Sequence, residues 1–88
     1  MLEKILTVSN RAGIHARPAA MLVQAIKDFT CAIYLEKGKH RIKGKSIMGV
    51  ITLSAAYGSA VKVITDGEDE AQAMDVIVRL FESKFEEE

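Results

Sequence analysis

The chain predicts an α+β fold in which a small sheet is covered by helices on one side only. Three observations lead there. Strand-like and helix-like segments follow one another in the order βαββαβα. Each strand segment carries one convincing apolar face, as expected of a sheet buried on one side. The 88 residues suffice to bury roughly 60–65% of the unfolded surface, enough for one two-layer core and for a single domain over residues 1–88.

The first strand is "KILTV" at 4–8, followed by the loop Ser9 to Gly13. From Ala16 to about Lys27, Ala19, Leu22, Val23 and Ile26 recur at helical spacing. Pro18 is tolerated only in the first turn, where its missing N–H costs nothing, so the helix must start beside His15. "AIYLE" at 32–36 alternates with Ile33 and Leu35 on one face, and "KGK" turns it into a return strand at Arg41-Ile42-Lys43. Ser46 is a natural N-cap for a short helix from Ile47 to Leu53. "AVKVIT" at 60–65 is the last strand. The longest helix runs from about Glu68 to Lys84, its stripe made by Met74, Ile77, Val78, Phe81 and Phe85. Its acidic start suits the helix dipole, whereas Glu86, Glu87 and Glu88 oppose the dipole at the other end and are expected to fray.

Composition narrows the function. A lone Cys31 excludes an intrachain disulfide framework and reads as a small buried hydrophobe. No secretory signal or membrane-spanning run is visible, which points to the cytoplasm. Charge is balanced overall but split: residues 1–45 hold nine Lys/Arg against three Asp/Glu, and residues 46–88 the reverse. The hairpin at 37–45 has five Lys/Arg but no interleaved aromatics, so a solvated turn is favoured over nucleic-acid binding. "KGKS" ends like a phosphate-binding loop, yet that motif needs glycine at 39, where Lys39 stands. No nucleotide, metal or other cofactor is expected.

His15 is the candidate reactive group. It precedes a helix whose first-turn amides point outward and favour anions, phosphate in particular. The dipole and Arg17 both act against a cationic imidazole, which leaves a ring nitrogen free as a nucleophile. Arg17 adds a planar donor set matched to phosphate oxygens. A covalent phosphohistidine fits this arrangement, with the phosphoryl group taken from one partner and handed to another. His40 sits in a turn-rich stretch and is read as solvated.

A second face of the same helix carries Arg17, Ala20, Met21 and Gln24, while Ile47, Met48 and Ile51 turn away from the core face of the short helix. Exposed apolar side chains with methionine suit docking to several partners, although the same residues would also finish a thin core.

"GIHARPAA" together with "GKSIMGVITL" closely resembles the histidine-containing phosphocarrier (HPr) family of the bacterial phosphotransferase system, over essentially the whole chain. The resemblance implies an open-faced sandwich, a four-stranded antiparallel sheet with three helices on one face. It implies that His15 accepts a phosphoryl group on Nδ1 from phosphorylated Enzyme I and passes it to IIA domains, so that the protein is a carrier and not a stand-alone enzyme. Arg17 matches the family's active-site arginine, and Met21, Ile47, Met48 and Ile51 match its docking surface. Ser46 matches a regulatory phosphosite served by HPr kinase/phosphorylase. His15 excludes the paralogue that lacks the histidine. Two departures bear on the pathway: many sugar-pathway members carry Asn or Ser where this chain has Ala12, and the tail "VIVRLFESKFEEE" looks more like the nitrogen-related branch. The alternative reading is therefore a nitrogen-branch or Ser46-controlled regulator that acts by docking. A monomer is expected, with strand edges that permit swapped dimers.

Overall fold

The computed structural model describes residues 1–87. Its elements are β1 (Leu2–Thr7), α1 (Ala16–Ile26), β2 (Ala32–Lys37), β3 (His40–Lys43), α2 (Ile47–Thr52), β4 (Ala60–Asp66) and α3 (Glu70–Glu82). The strands form one antiparallel sheet in the order β1-β4-β2-β3. The expected βαββαβα order and the open-faced arrangement are both present.

Alternation decides which side of the sheet is covered. Ile33 and Leu35 of β2 and Val61 and Val63 of β4 are buried against Ala19, Leu22 and Ile26 of α1 and Ala73, Met74, Ile77 and Phe81 of α3. Removing these aliphatic side chains from water is the main stabilising term, about 1.5–3 kcal/mol for each large one. Cys31 belongs to this core, and burial, with the Asp69 carboxylate beside it, pushes its thiol above the usual range.

The opposite face is mixed, with Ile64 buried at 3% exposure among charged neighbours. Lys62 lies between Glu3 and Glu36, at 3.8 and 3.9 Å, and Arg41 pairs with Glu36 while its guanidinium stands 5.2 Å from the Tyr34 ring centroid. Ile5 is out on this face and 70% exposed. The apolar side of β1 is carried instead by Leu6, with Val8 just beyond the strand.

The last helix departs from the expected limits at both ends. It begins at Glu70, two residues late, because the Asp69 carboxylate bonds to the Thr30 and Cys31 amides and not to its own first turn. It ends at Glu82, and Lys84, Phe85 and Glu86 form one turn with φ of 57°, 53° and 59°. Three successive left-handed residues cost about 1–2 kcal/mol each. Offsetting this, the turn drives Phe85 to zero exposure with its ring centroid 5.1 Å from that of Phe81. Phe85 is thus buried as its spacing predicts, but by a reversal of the chain and not by a continued helix.

Candidate functional site

The loop before α1 is built around Gly13. Its φ is +73°, and a Cβ there would lie 2.7 Å from the Ala55 carbonyl oxygen. The same carbonyl accepts from the Ile14 amide at 2.8 Å, which ties this loop to the segment after α2. His15 follows as the N-cap residue of α1, in extended conformation and without a side-chain cap bond. Its carbonyl accepts from Ala19 at 3.0 Å. Pro18, third in the helix, has no amide to satisfy. The Ala16 and Arg17 amides are left without an acceptor among the described residues. Two outward donors and the positive end of the dipole therefore meet beside the half-exposed imidazole.

Arg17 is exposed and makes no ion pair within 4 Å among the described residues. It borders a groove between α1 and α3 with Ala20, Met21, Gln24, Ala25, Leu80 and Glu86. On its other flank, Arg11, Ala12, Glu86 and Glu87 line a second depression. Ala20 and Met21 are half-buried, not fully exposed, because Leu80 of α3 packs alongside them. Beyond the histidine, a third groove runs over Ala12, His15, Ala16, Ile51 and Ser54. Ile47 and Met48 on α2 are 43% and 66% exposed, while Ile51 packs partly onto the core. Ser46 is exposed and caps α2, its Oγ accepting from the Gly49 amide at 3.0 Å.

Two residues that sequence reasoning missed complete the site. Glu87 Oε2 lies 3.1 Å from His15 Nε2, and Glu87 Oε1 accepts from Asn10 Nδ2 at 3.0 Å. Asn10 is buried, and Nδ2 also donates to the Gly13 carbonyl at 2.6 Å. Both partners are acceptors, so the amide orientation is determined, and Oδ1 is left without a partner among the described residues. The Asn10 amide holds the Glu87 carboxyl below the usual carboxylate range, with His15 and Arg17 acting in the same direction against partial desolvation. The expectation of a frayed tail is therefore corrected for Glu86 and Glu87; Glu88 lies outside the described residues. Where Ala12 offers the histidine no polar group, the tail supplies one.

Among the described residues, no group of three His, Cys, Asp or Glu side chains could hold a metal ion. No helix there is long and apolar enough to cross a membrane.

A family described as "PTS HPr component phosphorylation site" matches residues 2–83. The phosphocarrier protein HPr of Treponema pallidum is 48% identical over 88 residues, covering all of both chains. Among solved structures, an HPr from Thermoanaerobacter tengcongensis superposes with a TM-score of 0.95 at 42% identity, covering 100% of this chain and 99% of that one. A domain-swapped dimer of Crh, a catabolite repression protein of Bacillus subtilis, matches at 0.72 and 35%, covering 100% and 98%.

Proposed function

The chain belongs to the HPr family of phosphocarrier proteins, and from that premise we propose that His15 is the phosphoryl acceptor of a phosphoenolpyruvate-dependent relay. In this reading Nδ1 receives the group from phosphorylated Enzyme I and gives it to a IIA domain. The observation that carries it is the His15 side chain at the mouth of α1, beside the Ala16 and Arg17 amides, which have no acceptor among the described residues. A phosphate on the ring meets donors already aimed outward, which is how charge is stabilised without reorganisation at the moment of transfer. Arg17 contributes an exposed guanidinium at the same mouth.

The docking surface comprises Ala20, Met21 and Gln24 on α1 and Ile47, Met48 and Ile51 on α2, on the two sides of the histidine. A partner seated there covers apolar side chains and excludes water from the transfer. The basic hairpin takes no nucleic acid in this reading: Lys37 and Lys45 donate to the Ser54 and Phe29 carbonyls and Arg41 pairs with Glu36, so three of its five cations are engaged within the chain. The carrier works as a cytoplasmic monomer, without metal or cofactor.

A second reading rests on Ser46, whose hydroxyl is exposed at the cap of a helix within the docking surface. Phosphorylation there by HPr kinase/phosphorylase would put a dianion among Ile47, Met48 and Ile51 and convert the carrier into a regulatory docking module.

Incubation with Enzyme I and phosphoenolpyruvate tests the first reading. The expected product carries one phosphate that is acid-labile and alkali-stable, and His15→Ala takes none. A His15→Ala protein that still acquires the label would move the site elsewhere.

A further inference from the structure

We propose that Glu87 is a positioning residue for the transfer, its carboxylate selecting the ring tautomer that leaves Nδ1 of His15 free to attack phosphorus. The inference rests on the phosphocarrier reading above and adds a residue to it.

The geometry is specific. Glu87 Oε2 stands 3.1 Å from Nε2, and Oε1 is held at 3.0 Å by Asn10 Nδ2. Asn10 is 2% exposed and is fixed by its second bond to the Gly13 carbonyl. Two residues before Glu87, the buried Phe85 ring anchors the tail in the core. The carboxylate is thus held from both sides. An ionised carboxylate only accepts, so the ring nitrogen facing it must carry the hydrogen. A neutral imidazole has one N–H, and placing it on Nε2 puts the lone pair on Nδ1.

The transfer then balances without a proton leaving the ring. The Nδ1 lone pair forms the bond to phosphorus as the bond from phosphorus to the donor protein breaks, and that electron pair departs with the donor. Nε2 keeps its hydrogen, and the ring acquires positive charge 3.1 Å from the Glu87 carboxylate. Arg17 and the helix amides serve the phosphate oxygens, while Glu87 serves the ring. This divides the site into two parts, one of which comes from a tail distant in sequence from the motif.

The test uses the full chain labelled with 15N. Long-range proton–nitrogen correlation of the neutral His15 ring reads the tautomer, and phosphorylation by Enzyme I and phosphoenolpyruvate reads the rate. Glu87→Ala is expected to convert a dominant Nε2–H ring into a mixture and to slow phosphorylation by about 2- to 5-fold, the range of a partly exposed pair. Glu82→Ala, an exposed charge on α3, leaves both as in the parent, and an unchanged amide spectrum shows that each variant folds. An unaltered tautomer or an unaltered rate in Glu87→Ala overturns the proposal. A parent protein that takes no label instead refutes the phosphocarrier reading, and the tautomer measurement still decides whether Glu87 orients the ring.

Discussion

The Asp69 carboxylate accepts from the Cys31 amide at 2.9 Å and from the Thr30 amide at 2.8 Å, so the residue at the head of α3 caps the entry to β2 and not its own helix. The Thr30 bond is the main reason that the carboxyl lies below the usual value, with the Cys31 contacts adding to it. The covering helix is thereby stapled to the sheet where the chain leaves the α1–β2 loop.

Because these bonds favour the ionised form, the folded value is depressed, and stability linked to Asp69 is complete above the unfolded value of about 3.9 and lost as pH falls through the lower folded one. Glu70, held low by the Gly67 amide and the N-terminal ammonium, acts in the same direction. Thermal unfolding followed from about pH 7 to about pH 2 should show Asp69→Asn melting below the parent at neutral pH, with the two curves converging in acid. A constant separation down to the lowest pH would remove Asp69 from the acid transition.

What was legible in the sequence had local physical causes. The α1 stripe, Pro18 in its first turn and the Ser46 cap each depend on residues within one or two turns, and all three stand where spacing put them. The requirement at Gly13 is not local: it arises from the Ala55 carbonyl, brought up by the segment after α2. The Glu87 contact joins residues 72 apart, and no periodicity encodes it. A run of acids after a helix reads as solvated, and the stripe through Phe85 reads as a continued helix and not as a tail that turns back. Ala20 and Met21 lost part of their expected exposure for the same reason, since the position of Leu80 depends on how α3 crosses α1.

Ser46 offers a test in which stability and function separate. Removing the cap hydroxyl leaves the Gly49 amide unpaired, so Ser46→Ala should lose about 0.5–2 kcal/mol in denaturant unfolding. Ser46→Asp keeps an acceptor and adds a charge that the helix N-terminus favours by about 0.3–1 kcal/mol, so it should equal or exceed the parent in stability. The same variant places a negative charge beside Ile47 and Met48 and should slow phosphorylation by Enzyme I. If Ser46→Asp is both stable and as fast as the parent, the docking surface does not extend to the head of α2.

Arg17 is where transfer and folding should be separable most cleanly. Its side chain is exposed and engages no carboxylate within 4 Å among the described residues. Its removal therefore leaves no buried charge or cavity, and Arg17→Ala should unfold at the parent's denaturant midpoint. A charge-assisted hydrogen bond to a phosphate is worth about 1.5–3 kcal/mol, which predicts phosphoryl transfer slower by roughly 10- to 100-fold. Arg17→Lys keeps the charge but loses the planar fork, so its rate should fall between the two. Rapid-quench measurement of His15 phosphorylation with purified Enzyme I distinguishes these cases. Equal rates for all three proteins would mean that the Ala16 and Arg17 amides suffice to hold the phosphate and that the guanidinium serves only the groove toward Leu80.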